Sequence, residues 1–153
     1  MDVRLIVVGK IKEKYLTDAI NEYTKRIKPF ANLEIIEIKE LNNSESEKNL
    51  LEEGKNILKC ISNNDFVVTL EIEGKMLTSV ELSDYISKHY TYNNKVMTFI
   101  IGSSDGLSEE VKRSSDYKLS FSKMTFPHQL MRVIFLEQLY RAFSIINHSK
   151  YHK

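Results

Sequence analysis

The sequence of 153 residues is long enough for one folded domain with a hydrophobic core, over residues 1–153, and too short for two full domains. Hydrophobic residues make up 42% and charged residues 28%, with five glycines and two prolines, which excludes a disordered chain. The formal net charge of +1 excludes a strong overall electrostatic attraction to nucleic acid, so any RNA binding must depend on local basic patches.

The first predicted element is a buried strand over residues 3–8, which Gly9 and Lys10 follow at once. This apolar run is too short for a signal peptide or a membrane span. The single cysteine, Cys60, has no partner for an intramolecular disulfide and fits a reducing compartment. We therefore expect a cytoplasmic protein that does not enter a membrane.

Helical and strand patterns alternate through the first half of the chain. A first helix carries apolar residues at helical spacing until Pro29 interrupts the pattern, namely Leu16, Ile20, Tyr23 and Ile27. Residues 33–38 predict a second strand. A second helix carries one apolar stripe of Leu50, Gly54, Ile57, Leu58 and Ile61. Such alternation predicts a sheet with helices packed on its faces.

The middle of the chain continues this alternation. Residues 65–71 predict a strand buried on both faces, with Leu70 near its end. Thr78 and Glu81 have the spacing of a capping box and mark the start of a third helix, with Leu82 and Ile86 facing inward. His89 is predicted to be a solvated position of this helix.

Two further strands are predicted at Val96–Ile101 and, more weakly, at Tyr117–Ser120, with a short helix from Ser108 between them. The glycine-containing loop at residues 102–106 ends the first of these strands. The fold class that follows is α/β, with a mainly parallel sheet and helices on both faces.

The last predicted helix covers residues 127–147 and begins with a proline, whose missing N–H costs little in the first turn. Its apolar residues cover more than the one stripe that packing on its own sheet requires. Arg132, Glu137 and Arg141 interrupt the run and argue against a membrane, so we expect a partner subunit and a homodimer.

Three loops stand out because each follows a predicted strand: residues 70–74, 102–106 and 121–127. In open parallel sheets, ligands bind outside the carboxyl ends of the strands, so neighbouring strands would bring these loops to one pocket. Gly102 would permit close backbone approach, and Leu70, Phe121, Met124 and Phe126 would supply apolar walls. A flat base attached to a sugar would fit. The alternative is that the glycines only serve turns.

A rival interpretation comes from the G-x-S-x-G pattern at residues 102–106, which resembles the nucleophile elbow of α/β-hydrolases. Ser104 would be the nucleophile and Asp116 the acid, with His128, His148 or His152 as the base. The short chain and the absence of an oxyanion segment disfavour a hydrolase. His148 and His152 are four residues apart, but two ligands rarely hold a metal, so no metal site is expected.

Several segments carry a resemblance that covers the whole chain. These are residues 67–75, residues 99–102, residues 119–128 and the closing Tyr151, His152 and Lys153. Together they resemble the family of ribosomal large-subunit pseudouridine N3-methyltransferases, minimal members of the SPOUT superfamily of knotted methyltransferases. The resemblance implies a C-terminal trefoil knot, a homodimer, S-adenosylmethionine as cofactor and 23S ribosomal RNA in the ribosome as substrate.

By motif match, the resemblance implies cofactor contacts at Leu70, Gly102, Phe121, Ser122, Lys123, Met124, Thr125 and Phe126. These residues belong to the three loops chosen above. Many relatives carry a second glycine where this chain has Ser103, which would be strained if it had to adopt a positive φ.

The basic C-terminal end predicts the RNA contacts. Arg141, Lys150 and Lys153 are candidates for phosphate contact, and Tyr151 for stacking on a base. His152 is the candidate for proton removal or base orientation, with phosphate contact alone as its alternative. A non-enzymatic RNA-binding or assembly factor with a relic pocket is the remaining alternative for the whole protein.

Overall fold

The computed structural model describes residues 1–153 and contains one sheet of five parallel strands in the order β2-β1-β4-β3-β5. The elements in chain order are β1 Asp2–Val8, α1 Lys14–Ile27, β2 Asn32–Ile38, α2 Ser46–Lys59, β3 Asp65–Met76, α3 Ser79–Tyr92, β4 Val96–Ile101, α4 Glu109–Ser114, β5 Tyr117–Ser120 and α5 His128–Ile146. The predicted α/β class with a parallel sheet is confirmed. No helix combines the length and the apolar character that crossing a bilayer would need.

Helices cover both faces of the sheet, and β1 shows how alternate residues serve the two layers. Val3, Leu5 and Val7 belong to the larger apolar cluster, which they share with residues of α1, α3 and α5. Ile6 and Val8 belong to the smaller cluster, which residues of α2 and α4 complete. Because successive side chains of a strand point to opposite faces, this continuous apolar run supplies two cores.

β3 is longer than the sequence predicts and contains an irregularity that forms part of the site. Leu119 of β5 pairs with both Leu70 and Lys75, so residues 71–74 bulge out of the ladder between them. A Cβ atom on Gly74 would lie 2.8 Å from backbone atoms of Lys118 and Leu119. Only a glycine at position 74 therefore lets β3 pack this closely against β5 after the bulge. The predicted end of the strand at residue 71 is wrong, because β3 continues to Met76.

Arg132 ties α5 to the carboxyl end of β1. This residue is 3% exposed, and its Nη2 atom donates hydrogen bonds of 2.7 Å to the carbonyl oxygens of both Val8 and Gly9. Its Nη1 atom lies 3.3 Å from Oε2 of Glu37 on β2. One guanidinium, with several donors in a rigid plane, thus joins the first turns of α5 to two strands.

The expectation that His89 is solvated is wrong. His89 is 5% exposed, its ring centroid lies 4.7 Å from that of Phe66, and its Nε2 atom lies 2.9 Å from the carbonyl oxygen of Lys95. The ring is buried because it closes the end of α3 against the strands while one nitrogen still finds a backbone partner.

The predicted capping box of α3 is confirmed and yields a first testable outcome. Thr78 Oγ1 accepts a hydrogen bond from the Glu81 N–H at 3.1 Å, and Glu81 accepts one from the Thr78 N–H at 2.9 Å. We expect Thr78→Ala to lower the free energy of unfolding by about 1 kcal/mol in urea titrations. Thr78→Ser, which keeps the oxygen, should unfold like the wild type, and equal losses in both variants would contradict this role.

Candidate functional site

The bulge of β3 and the loops that follow β4 and β5 line one cavity of about 740 Å³ at the carboxyl edge of the sheet. Its lining comprises Leu70, Glu71, Ile72, Glu73, Ile101, Gly102, Ser103, Ser104, Gly106, Leu107, Lys112, Leu119, Ser120, Phe121, Ser122, Met124, Thr125, Phe126, Pro127, His128 and Met131. The volume lies in the range of small-molecule and cofactor sites.

Most of the residues proposed from the sequence for cofactor contact line this one cavity. They are Leu70, Gly102, Phe121, Ser122, Met124, Thr125 and Phe126. Lys123 belongs to the same loop but is exposed and is not part of the lining. The order of the strands explains the convergence, because β4, β3 and β5 are consecutive neighbours in the sheet.

The loop after β4 is a tight turn in which Gly102 has a steric role. A hydrogen bond of 2.9 Å from the Gly106 N–H to the Ser103 carbonyl closes the turn. A Cβ atom on Gly102 would lie 2.3 Å from the Gly106 carbonyl oxygen, which no real contact permits. The close approach at Gly102 is therefore to its own loop. Ser103 does not adopt a positive φ, so the strain considered for this residue is absent.

Glu53 of α2 lies buried beneath this loop, and the sequence analysis missed it. Glu53 is 3% exposed and accepts a hydrogen bond of 2.8 Å from the Leu41 N–H. Burial raises the pKa of Glu53, and the donors of Leu41 and of the nearby Ser103 side chain oppose the shift. Its position between Leu50 and Ile57 on the apolar stripe was the available signal.

Because Glu53 is buried, we expect the stability of the protein to depend on pH. A raised pKa means that the folded state binds more protons than the unfolded state between the two pKa values, so stability falls as the pH rises through that window. Glu53→Gln removes the buried charge and keeps an oxygen for the Leu41 N–H. We expect the free energy of unfolding of Glu53→Gln, relative to that of the wild type, to increase as the pH rises above about 4.3 and to level off once the pH exceeds the folded-state pKa of Glu53.

The matched control for this prediction is Glu52→Gln on the same helix, because Glu52 is exposed and pairs only with Lys55 at the surface. Urea unfolding at several pH values measures both variants. A pH dependence of Glu53→Gln that matches that of Glu52→Gln would show that burial does not shift the titration of Glu53.

The cavity also contains polar groups that the sequence analysis did not select. Glu71 accepts a hydrogen bond of 2.6 Å from the hydroxyl of Thr69, and Glu73 lies beside it in the bulge of β3. Lys112 of α4 supplies a cation. His128, the first residue of α5, has a buried Nε2 atom without a hydrogen-bond partner. The lining thus offers carboxylates, a cation and an unpaired ring nitrogen around apolar walls.

The C-terminal tail lies elsewhere within the same chain. None of Arg141, Lys150, Tyr151, His152 and Lys153 lines the cavity. The tail packs against the middle of α5, where the rings of Tyr151 and Tyr140 are 4.7 Å apart and edge-on. Arg141 is ion-paired with Glu137, so its charge is already compensated within the chain. Lys150 and Lys153 are exposed and make no ion pair.

The geometry argues against the hydrolase interpretation. Asp116 immediately precedes β5, and its carboxylate accepts a hydrogen bond of 2.8 Å from the Val67 N–H. Ser104 follows the opposite, carboxyl end of β4. An acid at one end of a parallel sheet cannot orient a histidine for a serine at the other end. No group of three or more histidine, cysteine, aspartate or glutamate side chains has an arrangement that could hold a metal ion.

A parallel α/β sheet with a cavity at its carboxyl edge defines a protein that binds a small ligand there, and comparison with known proteins identifies the family. The family described as "Predicted SPOUT methyltransferase" matches residues 1–152. The chain belongs to this family. A C-terminal trefoil knot, expected from the resemblance, is consistent with this membership.

Individual relatives match over the full length of both chains. A protein of Methanococcus maripaludis, named putative ribosomal RNA large subunit methyltransferase H, is 53% identical over 100% of each chain. Proteins of Carboxydothermus hydrogenoformans and Clostridium botulinum, named ribosomal RNA large subunit methyltransferase H, are 48% and 50% identical over the same extent.

Two solved structures share the fold at low sequence identity. A probable methyltransferase from Bordetella pertussis has a TM-score of 0.61 at 9% identity, covering 92% of this chain and 93% of that one. A probable methylase family protein from Haemophilus influenzae has a TM-score of 0.56 at 14% identity, covering 99% of this chain and 70% of that one.

Proposed function

We propose that this protein methylates N3 of a pseudouridine in 23S ribosomal RNA with S-adenosylmethionine as the methyl donor. The observation that carries the proposal is the cavity of about 740 Å³ that the bulge of β3 forms with the loops after β4 and β5. Membership of a methyltransferase family supports the reaction type, and the names of the full-length relatives support the ribosomal substrate.

The residues of the cavity fit S-adenosylmethionine. Leu70, Leu107 and Phe121 offer apolar surface for the adenine ring. The carboxylates of Glu71 and Glu73 would attract the positively charged sulfonium and amino groups of the cofactor. The ammonium group of Lys112 would attract the cofactor's own carboxylate. The remaining proposed contacts are Gly102, Ser122, Lys123, Met124, Thr125 and Phe126. When bound, this cofactor supplies an electrophilic methyl group.

The reaction depends mainly on the positions of the methyl donor and the target base. As the methyl group forms its bond to N3, its bond to sulfur breaks and N3 loses its proton, so the nitrogen and the methyl carbon must be in line. We assign His152 to proton removal or orientation of the base, and Tyr151 to stacking on it. Of the three basic residues expected to contact RNA phosphates, Lys150 and Lys153 are exposed and make no ion pair, so they are the proposed contacts, whereas Arg141 is paired with Glu137.

A homodimer would bring the tail and the cavity together. His128 lines the cavity at the start of α5, whereas the tail packs against Glu137, nine residues on and therefore about 14 Å along the helix axis. Leu130 is 39% exposed, and Val133 and Ile134 of the same helix are only half-buried. A second copy that covers this surface could place its own tail at the cavity of the first.

The substrate is proposed to be the assembled ribosome in the cytoplasm. A chain of this size with a net charge of +1 has little basic surface for recognising bare RNA. Ribosomal proteins and folded RNA together offer a composite surface against which a small enzyme can be positioned.

Two measurements test the proposal. Calorimetry should show saturable binding of S-adenosylmethionine by the isolated protein. Incubation with intact ribosomes that lack the modification, followed by mass mapping, should place one methyl group on N3 of a pseudouridine in 23S RNA. Absence of cofactor binding would favour the relic RNA-binding factor, and a methyl group on another atom would overturn the N3 assignment.

A further inference from the structure

The C-terminal tail is held by a compact cluster that we call the tail clamp, formed by Glu137 and Arg141 of α5 with Tyr151 and His152 of the tail. Arg141 Nε donates to Glu137 Oε1 at 3.0 Å, and the Tyr151 hydroxyl donates to the same oxygen at 3.1 Å. Arg141 Nη1 lies 3.2 Å from Nδ1 of His152. One arginine therefore links the helix carboxylate to the tail histidine.

The clamp also fixes the Tyr151 ring. The guanidinium carbon of Arg141 lies 4.7 Å from the centroid of that ring, within the range of cation–π attraction. Burial, together with the hydrogen bond to Glu137, raises the pKa of Tyr151. The phenol therefore keeps its proton at neutral pH and is no base for the reaction.

The contact between Arg141 and His152 determines where the imidazole proton lies. An arginine side chain has only donors and no acceptor. A hydrogen bond from Arg141 Nη1 therefore requires that His152 Nδ1 carry no proton and accept. In a neutral ring the proton must then be on Nε2. A doubly protonated ring would place one N–H donor against another.

We infer that Arg141, positioned by Glu137, holds His152 in the Nε2–H tautomer, so that His152 presents a hydrogen-bond donor to the substrate. The group it would meet is an oxygen acceptor, either an RNA phosphate or a base carbonyl. His152 then orients the substrate and does not remove the N3 proton, and Arg141 is a positioning residue with no phosphate contact of its own. The identity of the substrate rests on the proposed function, whereas the tautomer rests on the clamp alone.

The tautomer can be measured without any activity. In the full-length ¹⁵N-labelled protein at neutral pH, long-range ¹H–¹⁵N correlation should show His152 Nδ1 unprotonated and Nε2 protonated, with the signals assigned by their loss in His152→Gln. Arg141→Gln, which can accept as well as donate, should give a mixture of tautomers. Arg113→Gln, at an exposed position of α4, should match the wild type. A proton on Nδ1 in the wild type, or an unchanged ratio in Arg141→Gln, would overturn the inference.

An assay of ribosome methylation distinguishes a role of His152 as a hydrogen-bond donor from a role as a general base. Gln can place an N–H near the position of Nε2 but cannot accept the N3 proton, so His152→Gln should keep most of the wild-type kcat while His152→Phe loses it. A base role instead predicts that both variants lose about 100-fold or more. Thermal unfolding and calorimetry with S-adenosylmethionine show whether the variants fold and bind cofactor. A wild type without activity would refute the proposed function and leave the NMR result to decide the tautomer.

Discussion

Gly102→Ala is expected to weaken binding of S-adenosylmethionine by about fivefold to 150-fold, because forcing a methyl group into a packed site costs roughly 1–3 kcal/mol. The new Cβ atom would lie 2.3 Å from the Gly106 carbonyl oxygen and 2.6 Å from its carbon. Both contacts are to backbone, which cannot rotate away as a side chain could. The turn must therefore open, and with it the wall of the cavity. Calorimetry measures the dissociation constant.

Gly106 in the same turn provides the matched control. Its φ is +87°, and a Cβ atom there would meet nothing within 4 Å. Asparagine tolerates the left-handed region better than other residues that carry a Cβ, so Gly106→Asn should cost only a small part of the affinity. If Gly106→Asn weakened binding as much as Gly102→Ala, the steric role assigned to Gly102 would be wrong.

Arg132→Met is expected to lower the free energy of unfolding by about 2–6 kcal/mol, because two buried carbonyl oxygens each lose a charged donor at a cost of roughly 1–3 kcal/mol apiece. The substitution leaves the Val8 and Gly9 carbonyls without the donor that now reaches both of them at 2.7 Å. Burial lowers the pKa of Arg132 against the opposing effect of Glu37, but an arginine stays charged in proteins. Urea unfolding gives the measurement.

Two further variants show which property of Arg132 matters. Arg132→Lys keeps the charge but lacks the planar fork, so it should recover only part of the loss. Arg26→Met removes an exposed arginine that pairs with Glu22 one turn away, and it should cost less than about 1 kcal/mol. Equal effects at positions 26 and 132 would contradict the role of Arg132 in joining α5 to β1.

Elements of the fold that depend on local sequence were predictable. Val96–Ile101 and Tyr117–Ser120 were predicted with the bounds that the structure has, because apolar runs between polar loops specify strands directly. The capping box at Thr78 was predictable for the same reason, since its partners are three residues apart. The convergence of the three loops followed once the strands were taken to be neighbours.

Features that depend on distant contacts were not predictable in this way. The bulge at residues 71–74 arises because β5, more than forty residues further on, approaches Gly74. His89 and Glu53 are polar residues on buried faces, and residue type alone suggested solvent for the first and gave no reason to select the second. The tail appeared free to contact RNA, but Glu137 and Tyr140 hold it against α5.

The order of the strands has a consequence for how the chain is made. β1 can pair with β2 as soon as Ile38 has been synthesised, but its other edge waits for β4, which ends at Ile101. At about 5–20 residues per second, translation leaves that edge open for several seconds. An unpaired apolar strand edge invites aggregation. The nascent chain is therefore most vulnerable during this interval, and refolding of the complete protein should be slow compared with that of a helical protein of equal length.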